Sequence, residues 1–164
     1  MTTMVLRPGL RFVVSHPAHF LAFGFGVGLA PVAPGTFGTL LAFAAWWLLA
    51  GRYPPAVLGA LVVLLFAVGV WACGLTGRHL GVADHGAMVW DELVAFLAVL
   101  LVVPAQPAWQ AAAFVLFRMF DILKPPPIRQ FERRYRRGFG VMFDDVLAAG
   151  YTLLVLAVAM RILG

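Results

Sequence analysis

From residue 36 to residue 163 the chain runs through four long apolar stretches, and its acidic residues stand at their ends rather than among them. The stretches are residues 36–50, 56–76, 88–120 (broken at Pro104-Ala105-Gln106-Pro107) and 146–163. Lipid admits only segments that satisfy their own backbone hydrogen bonds, as helices or closed barrels, and no strands of roughly ten alternating residues are present. The pattern predicts an all-α, polytopic integral membrane helical bundle. Composition agrees, with 63% hydrophobic and 12% charged residues where average soluble domains carry roughly 25% charged.

Ahead of these stretches lies HFLAFGFGVGLA, residues 19–30, apolar but glycine-rich and closed by PVAPG. Twelve helical residues cover about 18 Å, short of a hydrocarbon core of roughly 30 Å. This segment is expected to be re-entrant or interfacial. The N-terminal MTTMVLRPGLRF has two arginines but no compact apolar run ending in a small-residue cleavage site, so no signal peptide is expected. The length fits a single domain, 1–164, without repeats or low-complexity tracts. Cys73 is the one cysteine and sits in an apolar run, which rules out a disulfide framework and marks it as core. Among the tryptophans, Trp46, Trp47 and Trp109 read as span-end anchors or packing.

The formal net charge is +5. In so apolar a chain the positive-inside bias explains it better than nucleic acid, and no nucleic-acid partner is expected. With a cytoplasmic N-terminus, residues 36–50 cross outward and 56–76 return. Residues 88–120 then go out and back, as two spans or a shallow hairpin, and 146–163 cross last. Ten of the twelve basic residues fall inside under this topology, Arg52 and Arg161 outside, and all seven acids lie at the cytoplasmic face. The inverted topology reverses these counts.

Every polar island then shares one side of the membrane, its cytoplasmic face. A carboxylate at the bilayer centre costs about 2.5–3.5 kcal/mol, so acids flanked by apolar helix point to function. VWDELVAF supplies Asp91 and Glu92, neighbours about 100° apart around a helix. MFDDVLAAG supplies Asp144 and Asp145. Such oxygen ligands suit Mg²⁺, which takes one or two carboxylates besides phosphate and water. The plainer reading of Asp144-Asp145 is a helix N-cap; taken together on one face, the two acid pairs favour a metal site. In APVAPGTFGTL, Gly35 and Thr36 open a helix whose N–H groups could face an anion, or form an ordinary proline-glycine turn with a threonine cap. GFGVMF, from Gly138, is a second glycine-rich helix approach.

In FRMFDILKPPPIRQFERR, Arg118, Asp121 and Lys124 follow at i, i+3 and i+6. They read either as a salt-bridged helix end or as a phosphate clamp, Arg forking onto oxygens and Lys adding a point charge. Pro125 and its two successors end the helix near Lys124. Arg129, Arg133, Arg134, Arg136 and Arg137 then form a patch for anionic lipid, with Glu132 among them. His85 could orient Asp84 or relay a proton, although a surface histidine is the more frequent case; His16 and His19 carry no signal.

GLAPVAPGTFGTL, DHGAMVWDELVAF, FRMFDILKPPPI and GFGVMFDDVLAAG together resemble, in order and spacing, the motifs of the bacterial phosphatidylglycerophosphatase A family. The resemblance covers nearly the whole chain from about His16 onward. It implies a Mg²⁺-dependent membrane enzyme whose substrate is phosphatidylglycerophosphate and whose surroundings are membrane lipid. It also implies that the family's acids correspond to Asp84, Asp91, Glu92, Asp121, Asp144 and Asp145, and its basic pair to Arg118 and Lys124. Metal ligands are expected among Asp91, Glu92, Asp144 and Asp145, with Asp84 or Asp121 as base or ligand, and phosphate contacts from Gly35, Thr36, Arg118 and Lys124. Departures from the family pattern are Thr39 for serine, Ala95 and Ala149 for glycines, and Phe139 for a glycine beside Gly138.

Two other classes fit apolar sequence with terminal acids. A transporter with broken helices predicts charge near mid-span, where this chain is almost bare. A non-catalytic lipid-binding protein predicts that the acid pairs tolerate alanine.

Overall fold

The computed structural model describes residues 8–135 and 137–163; Arg7 and Arg136, read above within basic segments, lie outside the described residues. The order is α1 (Leu10–Val14), α2 (Pro17–Ala22), a 3-10 turn (Gly24–Leu29), α3 (Pro34–Leu49), α4 (Pro55–Leu80), α5 (Trp90–Val102), α6 (Pro107–Leu123), α7 (Ile128–Arg134) and α8 (Gly138–Leu163). Among the described residues there is no strand, only an isolated bridge between Ala50 and Tyr53.

Prolines set the boundaries. Pro34, Pro55 and Pro107 each open a helix, where the missing N–H is an orphan donor anyway and the fixed φ suits the turn. α5 stops at Val102, ahead of Pro104. α6 stops at Leu123, and Lys124, before Pro125, takes the left-handed conformation at φ 44°. α4 closes on Gly81 at φ 71°, its N–H donating to the Arg78 carbonyl.

α4 and α8, 26 residues each, are long and apolar enough to cross a membrane. Their outer faces carry exposed apolar side chains such as Val63, Leu64 and Leu154. The other apolar helices are shorter. α3 has 16 residues, α5 has 13 and α6 has 17, so they reach only about 20–26 Å at 1.5 Å per residue. Residues 88–120 are thus a short hairpin turning at Pro104. Residues 19–30 fold as the end of α2 and the 3-10 turn, where Phe25 (φ 61°) and Gly26 (φ 100°) interrupt the helix.

α5 is the centre. It packs against α3, α4, α6 and α8 and is apolar almost all round, as a helix screened from its surroundings must be. Leu93, Val94, Phe96, Leu97, Val99 and Leu100 are all buried. Phe96 sits among Phe43, Phe114 and Phe117, with ring centroids 5.1, 6.0 and 5.4 Å away. Trp90 donates its indole N–H to the Leu65 carbonyl of α4 at 3.1 Å, so this tryptophan is a core strut. α4 and α8 meet through glycine: a Cβ on Gly138 would land on the Val70 carbonyl, and one on Gly74 would lie 3.4 Å from Gly138 Cα. Cys73 is buried, as its sequence setting predicts.

Candidate active site

α3, α5 and α8 begin, and α4 and α6 end, at one end of the bundle. Glu92 lies against Gly35, Arg118 bonds Glu92, Lys124 bonds Asp144, and Gly77 lies against Val82 and Ala83. The polar islands spread along the sequence therefore form one site. α5 brings Asp91 and Glu92 in its first turn. α8 brings Asp144 and Asp145, both buried. Because α8 starts at Gly138, the two aspartates lie in its second turn, and the helix-cap reading of this pair is corrected. α6 brings Arg118 and Asp121 and ends at Lys124, the loop after α4 brings Asp84, and α7 brings Glu132.

The carboxylates form two triads. Asp91, Glu92 and Asp145 place one oxygen each within 4.8 Å of one another, and so do Asp84, Glu132 and Asp144. The four acids among which metal ligands are expected thus fall in two groups: Asp145 joins the α5 pair, while Asp144 lies with Asp84 and Glu132. Successive residues on a helix point about 100° apart, so the Asp144-Asp145 dipeptide joins the two groups.

Each triad has a cation beside it. Arg118 Nη1 lies 2.7 Å from Asp121 Oδ2 and 3.4 Å from Glu92 Oε1. Lys124 Nζ lies 2.9 Å from Glu132 Oε1 and 3.2 Å from Asp144 Oδ2. Burial opposes the charge on Lys124, but the Glu132 hydrogen bond and the Asp144 carboxylate outweigh it and hold its pKa above the ordinary lysine range. The left-handed backbone at Lys124 folds the side chain back toward the acids, strain of the kind that persists where the surroundings over-determine it.

Gly35 closes the inner side, since a Cβ there would run into Glu92 Oε1 and Arg118 Nη2. Thr36 contributes less than its position suggests, because its N–H donates to the Ala33 carbonyl at 2.9 Å within the turn. One turn on, Thr39 donates its hydroxyl to the Gly35 carbonyl at 2.9 Å and accepts from Arg118 Nη1 at 3.5 Å. His85 Nδ1 accepts from the Ala87 N–H at 3.1 Å, so one of its ring nitrogens is spent on its own loop.

The donor set fits hard cations. Asp91 Oδ1, Glu92 Oε2, Asp144 Oδ1 and Asp145 Oδ2 are buried without a hydrogen-bond partner. Uncompensated buried carboxylate costs several kcal/mol, and an oxygen-seeking divalent ion removes that cost. Glu132 is the residue that sequence reasoning left outside the site. It stands among arginines, and only its place one turn before the chain returns to α8 hints at a different role.

The protein is thus an apolar, all-helical one, with two helices long and apolar enough to cross a membrane, whose carboxylates and cations converge at one end of the bundle. The sequence profile of phosphatidylglycerophosphatase A matches residues 20–160, and the chain belongs to that family. It is 44% identical over 140 residues to phosphatidylglycerophosphatase A of Escherichia coli K12, covering 84% of this chain and 80% of that one. It is 44% identical over 150 residues to the protein of the same name from Haemophilus influenzae, covering 91% and 92%. A Bacteroides thetaiotaomicron relative, provisionally named a phosphatidylinositol-3-phosphatase, is 43% identical over 148 residues, covering 86% and 92%. No solved structure gives a significant match.

Proposed function

We propose that this chain hydrolyses phosphatidylglycerophosphate to phosphatidylglycerol and inorganic phosphate, with Mg²⁺, at the cytoplasmic face of a bacterial inner membrane. The observation that carries this reading is the pair of carboxylate triads, each with its own cation, joined through Asp144-Asp145 at one end of an apolar bundle. Asp91, Glu92 and Asp145 would hold one ion, and Asp84, Glu132 and Asp144 a second. Bound Mg²⁺ supplies Lewis acidity toward a phosphate oxygen and acidifies water.

The chain's own residues do the rest. Arg118, clamped by Glu92 and Asp121, offers its guanidinium to the phosphoryl oxygens without having to be ordered on binding. Lys124 stays an ammonium and offsets the charge of the more exposed triad. Asp84, exposed at its loop, is placed to accept a proton from the attacking water. Water adds its oxygen to phosphorus, the bond to the glycerol oxygen breaks, and that oxygen takes up a proton to leave phosphatidylglycerol. The exposed apolar faces of α4 and α8 let the acyl chains stay in lipid.

The test is phosphate release from phosphatidylglycerophosphate by purified protein with and without Mg²⁺, with phosphatidylinositol 3-phosphate as the control that the Bacteroides relative's name demands. Mg²⁺-dependent release that Asp91→Asn abolishes, with expression intact, supports the reading. Full activity in EDTA or in that variant sinks it.

A further inference from the structure

One cleft does not lie on the acids but beside them. It holds about 530 Å³ and is walled by Gly74, Gly77 and Gly138, with Arg78 and Arg137 on its rim. A second cleft of about 370 Å³ contains Asp84, Glu132 and Asp144, and the two share Ala83. Arg78 and Arg137 are exposed, and neither has a carboxylate partner among the described residues. Two unpaired guanidinium groups at a glycine-walled cleft, one residue from a carboxylate triad, make a basic lobe attached to an acidic one.

Resting on the reading above, we propose that the Arg78–Arg137 cleft binds the internal phosphodiester of the substrate while its terminal phosphomonoester lies in the Asp84–Glu132–Asp144 cleft. The substrate carries two phosphoryl groups joined by a glycerol, and the structure offers two adjoining clefts of matching character. Guanidinium forks onto non-ester phosphate oxygens. The order along the protein follows the order along the lipid. Trp71, Gly74 and Arg78 share a face of α4 by their i, i+3, i+7 spacing, and Trp71 is exposed. From Asp84 the path runs past Ala83 to Arg78, then down α4 onto an apolar surface fit for acyl chains. Arg137 thereby takes a more specific part than general attraction to anionic lipid. The two arginines set specificity: a lipid whose only phosphate is the monoester leaves this cleft empty.

The experiment compares wild type, Arg78→Gln/Arg137→Gln and Arg78→Lys/Arg137→Lys, purified in micelles, on phosphatidylglycerophosphate and on phosphatidate, which lacks the diester. Losing charge-assisted contacts to a phosphodiester predicts a roughly tenfold to hundredfold fall in kcat/KM for phosphatidylglycerophosphate, carried by KM, in the glutamine variant. Partial recovery is expected with lysine, and a far smaller change on phosphatidate. If wild type leaves phosphatidate untouched, the KM-against-kcat split on the native substrate decides. Inhibition by inorganic phosphate separates the sources of the anion. Relief of that inhibition without a rise in KM makes the cleft a free-phosphate site and overturns the proposal. So does an unchanged KM, or an equal loss on both lipids. A wild-type protein that hydrolyses neither lipid fails the functional reading itself, and the subsite with it.

Discussion

Lys124 and Asp144, twenty residues apart in sequence, meet with Nζ 3.2 Å from Oδ2 at the point where α6, α7 and α8 converge. The same ammonium bonds Glu132 at 2.9 Å, so one cation ties an α7 residue to an α8 residue. Lys124→Met is expected to lower phosphate release by roughly a hundredfold to a thousandfold, the range for deleting a preorganised charged donor. A loss under fivefold in a steady-state assay would remove Lys124 from the site.

Glu132→Gln tests the residue that lies among arginines. The amide keeps one acceptor for Lys124 and loses the charge. The Mg²⁺ concentration for half-maximal activity is expected to rise by roughly tenfold to a hundredfold, as for altered metal surroundings generally. A Mg²⁺ titration that matches wild type assigns Glu132 to holding Lys124 alone.

Gly35→Ala puts a methyl where Glu92 Oε1 and Arg118 Nη2 now sit. Both neighbours must move, and the Arg118 clamp opens. Activity is expected to fall at least tenfold while the protein still accumulates in membranes, checked by activity normalised to band intensity. Gly150→Ala, at a glycine with open space around it, is the matched control and is expected to be neutral.

Phe96→Ala removes the ring that three other aromatic residues surround at the centre of the bundle. Large-to-small changes of this kind cost about 3–5 kcal/mol through lost contacts and the cavity left behind. Thermal unfolding in detergent should show a clear drop in midpoint. No drop would mean that α5 is less tightly packed than its burial states.

The N-terminal segment carries a pH dependence. His19 Nε2 lies 2.8 Å from His79 Nδ1, and His19 Nδ1 lies 3.1 Å from the Phe12 carbonyl, so the two rings can share only one proton at their contact. Burial, followed by the neighbouring His79 and His16, lowers the His19 pKa, against the raising effect of the Phe12 hydrogen bond. A histidine with a lowered folded pKa binds its proton more readily when released. Docking of α2 on α4 is therefore favoured above the ordinary histidine range and weakens as pH falls through it. Amide exchange in residues 10–22 should accelerate on acidification, and His79→Asn should blunt the change.

Much of the helical layout is legible in the sequence because proline punctuates it. The stretches read at 36–50 and 56–76 become α3 and α4 with boundaries set by Pro34 and Pro55, and Pro104 marks the turn between α5 and α6. The last helix begins eight residues before the apolar run read at 146, since a helix tolerates Asp144 and Asp145 once other helices cover them. Apolar character alone does not tell a packed helix from a lipid-facing one: α5 is buried almost all round, while α3 and α6 keep exposed apolar side chains such as Trp47 and Val115. In the site, the acids, Arg118 and Lys124 stand out as charges beside apolar helix. Their grouping does not, because a dipeptide such as Asp144-Asp145 carries no record of which neighbour each side chain faces. Glu132 is hidden for the opposite reason: a charge among charges gives no contrast.

The brevity of α5 has a consequence for how the protein is made. Thirteen residues, about 20 Å, cannot bridge the hydrocarbon on their own. The segment that carries Asp91 and Glu92 must be held there by neighbouring helices, and α8, one of its walls, leaves the ribosome after it. A chain interrupted before α8 would leave α5 without that wall and hold only four of the six carboxylates of the Asp91–Glu92–Asp145 and Asp84–Glu132–Asp144 groups. A chain without α8 is therefore inert, and chemistry begins only when that helix is in place.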